Sequence, residues 1–186
     1  METSTPFSDQ TLESMVTASI ESVFLKMIPL PLVFKRVGTS SYQSQLDKES
    51  ADPKILPIDK SMIVGSIGFM GEVDGMFYLY MDEGLGRKIA SSFLGLTEEE
   101  VKEEGPESIG DAIGEFSNMI VGTFKNGLCD SGYNCRLTIP SVLRGNHLTI
   151  NPSTSFPAVR KTFYFDVAGD PYVVDLFMRA LEPFQE

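Results

Sequence analysis

At 186 residues and 42% hydrophobic composition, the chain is long enough for one domain with its own core. Its 26 acidic residues against 15 basic give a net charge of −11 and a pI near 4.5, which argues against binding to nucleic-acid phosphates or an anionic membrane surface and for a partner with a basic face. The longest apolar run, Met27 to Phe34, holds two prolines and falls well short of the roughly 20 residues of a membrane-spanning helix; METSTPFSDQ at the start has no leader pattern, so the expected location is the cytoplasm.

In chain order, apolar spacings of three and four after Ser8 predict a helix over about residues 9 to 27, stopped by Pro29 and Pro31 and followed by an extended piece, Leu30 to Val37. Residues 38 to 60 are polar and unpatterned, and read as an excursion from the fold. Alternating branched and aromatic residues over 62 to 81, broken at Gly71-Glu-Val-Asp-Gly75, predict a hairpin. Asp82 is placed to cap a helix closed by Gly95, and Thr97 with Glu100 forms a capping box. Gly105-Pro106 starts a second long helix over about 106 to 126, with Gly127 just past its end. Beyond it lie strand-like pieces at Asn134 to Ile139, His147 to Asn151 and Arg160 to Val167, and Asp170-Pro171 reads as the cap of a final helix carrying Val174, Phe177, Met178 and Leu181.

The two stretches, about 9–95 and 106–182, share one order: long helix, three strands, shorter helix. The expected architecture is a single α+β domain over 1–186, with duplicated helix–three strands–helix halves forming a largely antiparallel sheet with helices packed on it. An offset of 94 residues superposes Thr17, Glu21 and Phe24 on Asp111, Glu115 and Asn118.

Most site chemistries lack their residues. His147 is the only histidine and reads as a surface or capping residue. Cys129 and Cys135 read as reduced thiols, with a redox pair as the alternative, and cannot make a structural zinc site alone. The glycines form neither a P-loop nor a dinucleotide-binding pattern.

The informative segment is Glu107 to Asn126. On a helix, Ile109, Ala112, Ile113, Phe116, Ile120, Thr123 and Phe124 share the core face, while Asp111, Glu115, Asn118 and Gly122 line up on the opposite side. Gly114 and Gly122 each weaken the helix by about 0.8–1 kcal/mol relative to alanine. Their smallness suggests close approach: at Gly114 by the first long helix, at Gly122 by a docked protein.

The pattern Asp111-x-x-x-Glu115-x-x-Asn118, with Pro140 following 22 positions after the asparagine, resembles the motif of the CheC/CheX phosphatases of bacterial chemotaxis, and is closest to the single-motif CheX type. Ile139 to Gly145 and the glycine-bearing hairpin Val64 to Gly75 add to the likeness. The resemblance implies a CheC-like fold and acceleration of aspartyl-phosphate hydrolysis on a CheY-type response regulator. It further implies that Asn118 orients the attacking water, that Glu115 docks to the regulator's active-site lysine, and that Asp111 and Gly122 belong to the partner-binding surface. Such an enzyme holds no metal of its own: Mg²⁺ is expected on the regulator, and the resemblance suggests a homodimer. Because the offset places Phe24 at the asparagine's position, one site per chain is expected. The alternatives are a non-catalytic receiver-binding adaptor and a flagellar-switch-like assembly protein.

Overall fold

The computed structural model describes residues 5–41, 61–146, 148 and 158–179. In these, the elements run α1 (Asp9–Met27), β1 (Leu32–Ser41), β2 (Met62–Gly71), β3 (Gly75–Asp82), α2 (Glu83–Leu94), α3 (Glu98–Glu104), α4 (Pro106–Asp130), β4 (Cys135–Leu137), β5 (Ser141–Gly145), β6 (Ala158–Val167) and β7 (Asp170–Arg179). Helices α1, α2 and α4 pack on a seven-stranded sheet whose pairings are all antiparallel, and α3 packs against α2 and α4. This is the expected α+β class.

Local chemistry sets the helix ends. The Ser8 side chain accepts from the Thr11 N–H to open α1, Asp82 does the same for Leu85 in α2, and Thr97 and Glu100 form the reciprocal capping box of α3. Gly95 closes α2 in the left-handed region, at φ 70°. In the core, α1 meets α4 through Phe24, whose ring stands edge-on to Phe116 at 5.3 Å and to Tyr172 of β7 at 5.6 Å.

The structure corrects several sequence expectations. Residues 170–179 form the strand β7, not a capped helix. Ala168 and Gly169, at φ 52° and 92°, make a two-residue turn that pairs Val167 with Asp170, so Asp170 opens a strand. Val174, Phe177 and Met178 have helical spacing, but β7 is buried on both faces: Tyr172, Val174, Leu176 and Met178 join the core beneath the helices. On the other face, buried Asp175 pairs with Arg160 and accepts from Thr162 Oγ1. A strand buried on both sides loses its alternation and can pass for a helix. Second, β5 occupies 141–145 where no strand was expected; the strand expected at His147 to Asn151 lies, Leu148 apart, outside the described residues. Third, α4 continues through Gly127 to Asp130, and β1 extends over Gly38–Ser41 into what read as an excursion, whose remainder, like Leu181, lies outside the described residues.

The sheet order is β1-β6-β7-β3-β2, with β4 and β5 both pairing β2 at the far edge. Exchanging β1 with β4/β5, β2 with β6 and β3 with β7 reverses this order onto itself, which supports duplication as our proposal for the origin of the halves. Burial sets the register between them. Placing Asp9 on Pro106, an offset of 97, aligns Leu12, Val16, Ser19, Ile20, Val23 and Phe24 with Ile109, Ile113, Phe116, Ser117, Ile120 and Val121, all buried. The 94-residue offset fails because Phe24 is in the core. Ser14, Ala18, Glu21 and Leu25 instead occupy the places of Asp111, Glu115, Asn118 and Gly122.

Candidate functional site

Gly105, whose φ of 92° suits glycine, immediately precedes α4, and Pro106 opens its first turn. Ile109, Ala112, Ile113, Phe116, Ile120 and Phe124 are buried as expected; Thr123 is half-buried, its hydroxyl donating to the Met119 carbonyl at 2.9 Å. On the outward side Asp111 and Glu115 are exposed, while Asn118 and Gly122 are half-buried. The four stripe residues therefore come together along one accessible face, with the carboxamide deeper than the carboxylates.

One close contact marks how α4 lies on the sheet. Ser117, fully buried, sits over Gly65 of β2 so closely that a Cβ on Gly65 would be 2.3 Å from its hydroxyl oxygen. That hydroxyl donates to the Ile113 carbonyl at 2.7 Å. The small residue that close approach demands is thus Gly65. Gly114 faces Val142 of β5 rather than the first helix, and a Cβ there would meet Val142 at an ordinary 3.7 Å; at Gly122 the nearest atom would be Leu137 Cδ1 at 4.0 Å. Packing inside the molecule does not force glycine at either place.

The edge strand beside the stripe is bulged. From the pair Phe69–Leu137 to the pair Ser66–Ser141, β2 advances three residues while the edge advances four. The extra residue falls in Thr138-Ile139-Pro140, where proline removes a backbone donor at a permitted edge position. Since Gly122 abuts Leu137 and Gly114 abuts Val142, this bulge flanks the intervening turn of α4, the turn carrying Asn118. Pro140 and Asn118, 22 residues apart in sequence, thereby belong to one surface.

Charge changes along that surface. Glu107, Asp111 and Glu115 are exposed on α4, and the glutamates of α3 precede them. Glu100 is already engaged: the Thr97 backbone N–H, then its hydroxyl, hold its carboxyl below the usual range. At the other end a groove between α4 and β4 is lined by Gly122, Lys125, Asn126, Cys135, Arg136 and Leu137. Burial pushes the Cys135 thiol up, so it stays protonated and is a poor nucleophile. No sequence pattern announced this groove, because Lys125 and Arg136 meet only when β4 folds against the helix. Among the described residues no group of three or more His, Cys, Asp or Glu side chains could hold a metal ion, and no helix is long and apolar enough to cross a membrane.

Comparison with known proteins agrees with this architecture. The family model described as chemotaxis phosphatase CheX matches residues 63–163, more than half of the chain. Among solved structures, a CheC-like superfamily protein from Shewanella sp. PV-4 superposes with a TM-score of 0.72 at 21% identity, covering 93% of this chain and 100% of that one. Chemotaxis protein CheX from Vibrio vulnificus gives 0.69 at 21% identity, over 90% and 99% of the two chains. A CheX–CheY–BeF3–Mg²⁺ complex from Borrelia burgdorferi gives 0.68 at 18% identity, over 90% and 97%. No curated protein sequence matches significantly.

Proposed function

Because the chain belongs to the CheX family of chemotaxis phosphatases, we propose that it accelerates hydrolysis of the aspartyl phosphate on a CheY-type response regulator. The observation that carries this reading is the outward line of Asp111, Glu115 and Asn118 on α4, bordered by the Pro140 bulge. A structural neighbour crystallised with CheY, BeF3 and Mg²⁺ supports the class of partner.

In hydrolysis, a water oxygen bonds to phosphorus as the phosphorus–oxygen bond to the aspartyl group breaks. The products are the free carboxylate and inorganic phosphate, which takes the water's proton. The transition state is loose, so catalysis is positioning and charge stabilisation. Asn118 suits the first role: its amide accepts from and donates to a water without placing negative charge near the phosphoryl oxygens. Glu115, one turn away, pairs with the regulator's lysine, and Asp111 and Gly122 complete the docking face. Mg²⁺ resides on the regulator as part of the substrate. The first half carries Ser14, Ala18 and Glu21 at the matching places and has no amide, hence one site per chain. Homodimerisation and a cytoplasmic location, where such regulators act, complete the proposal.

The test measures phosphate release from a phosphorylated CheY-type receiver domain. Asn118→Ala is expected to cut the acceleration about 10²-fold or more, as losing one transition-state contact does in other enzymes, with stability within about 0.5 kcal/mol of wild type. Glu115→Ala chiefly raises KM, and Asp111→Ala has less effect than either. Full activity in Asn118→Ala would remove the mechanism; tight binding of the receiver without hydrolysis by wild type would make the protein an adaptor.

A further inference from the structure

Ile139 is 88% exposed. A lone surface aliphatic residue means little in itself, and Leu25 on α1 is exposed to the same 88%. What distinguishes Ile139 is how and where it is held. The backbone N–H of Thr138 donates to the Gly68 carbonyl at 2.9 Å, and the Gly68 N–H donates to Thr138 Oγ1 at 2.9 Å. On the other side, the Ser66 hydroxyl donates to the Ser141 carbonyl at 3.2 Å, and between them Pro140 fixes its own backbone angle. Gly68 permits this closeness, since a Cβ there would stand 3.0 Å from the Thr138 methyl. The bulge is therefore pinned on both flanks, and the residue that it pushes out is apolar. Leu137 and Val142, on either side of the bulge, are what a Cβ on Gly122 and on Gly114 would meet, which places the bulge beside the intervening Asn118 turn of α4.

We infer that Ile139 is the apolar anchor that registers the receiver domain on the α4 stripe, seating in an apolar patch on that partner. The inference rests on the phosphatase reading for the identity of the occupant. A pre-positioned side chain loses little freedom on docking, and a central apolar contact flanked by charge is how protein interfaces are commonly anchored. With Glu115 on one side and Ile139 on the other, the partner is held at two points, and the carboxamide between them meets the phosphoryl group in one orientation. Ile139 acts through placement and is a positioning residue.

The experiment uses the full chain with a CheY-type receiver domain, phosphorylated for turnover and beryllofluoride-activated for equilibrium binding. Ile139→Ala is expected to raise both KM and Kd about tenfold, with kcat unchanged; Ile139→Leu restores most of the loss, and Leu25→Ala changes neither. Unaltered KM and Kd in Ile139→Ala, or an equal effect from Leu25→Ala, overturns the inference even where wild type hydrolyses and the phosphatase reading stands. If wild type binds the activated receiver without hydrolysing it, that reading fails, and a raised Kd in Ile139→Ala still supports the anchor. Absence of both binding and hydrolysis overturns the two together.

Discussion

The two long helices occupy equivalent places in a mirrored sheet, yet only one carries the two acids and the amide of the proposed site. Each lies near a bulged edge strand: β1 slips register between Phe34 and Arg36, leaving Lys35 as the extra residue, and the β4/β5 edge slips at Thr138-Ile139-Pro140. Each turns a line of four positions outward. On α4 these are Asp111, Glu115, Asn118 and Gly122, and the bulge of the β4/β5 edge carries an isoleucine; on α1 they are Ser14, Ala18, Glu21 and Leu25, and the bulge of β1 carries a lysine. The scaffold is thus common to both halves, and the difference lies in a few side chains and in how closely each helix approaches its strands. β2 offers bare backbone at Gly65 under Ser117. β6, at β2's place in the mirrored order, presents Phe163, Phe165 and buried Lys161, whose Nζ reaches Asp9 at 2.8 Å. Function follows side chains placed on a repeated frame.

The largest effect on this contrast should come from filling the close contact. Gly65→Ala places a methyl 2.3 Å from the Ser117 oxygen, and either the hydroxyl gives up its bond to Ile113 or the helix lifts. Overpacking of this kind costs about 1–3 kcal/mol, read as a lowered urea midpoint. Adding Ser117→Ala removes the oxygen and leaves the Ser117 Cβ, 3.4 Å away, as the nearest atom, so the double variant should regain much of the loss. Simple additivity of the two changes would show that the contact does not set the helix's height.

Why the sequence revealed α4 better than the end of the chain follows from the same geometry. A helix packed on one side keeps a clean stripe, so Asp111, Glu115 and Asn118 could be aligned from their spacing alone, and Ser8, Asp82 and Thr97 signalled their caps. The central strand β7 is buried on both faces, so its apolar residues carry no period, and Asp170-Pro171 resembled a helix start while the real signal was the turn at Ala168-Gly169. The β4/β5 edge was hidden for a different reason. A bulge is defined by the partner strand's register, which no local pattern in Leu137 to Ser141 displays. The glycines misled through their neighbours: the tight contact belongs to Gly65, in a strand, whereas the helical Gly114 and Gly122 have room above them.

That room makes Gly122 a test of which pressure keeps it small. The nearest atom to a Cβ there is Leu137 Cδ1 at 4.0 Å, so Gly122→Ala should stabilise the fold by about 0.8–1 kcal/mol through helix propensity. If the position is kept bare for a docked receiver, the same variant raises KM for the phosphorylated domain while kcat holds. Greater stability with an unchanged KM would take Gly122 out of the docking surface and leave the contrast with Leu25 on α1 without functional meaning.

The smallest expected effect is also the most demanding of the comparison. Ala18→Glu combined with Glu21→Asn writes the acid and the amide onto α1, behind Ser14, at two exposed positions that should tolerate them within about 0.5 kcal/mol. Introduced into the Asn118→Ala background, the pair is expected to restore no measurable dephosphorylation. The reason is that a water-orienting amide works only when the partner is held at a second point. On that flank the bulge offers the charged Lys35 in place of Ile139, and Leu25 projects where Gly122 leaves space. Hydrolysis recovered by this graft would mean that the helix stripe alone makes the site and that the edge strand beside α4 adds nothing to it.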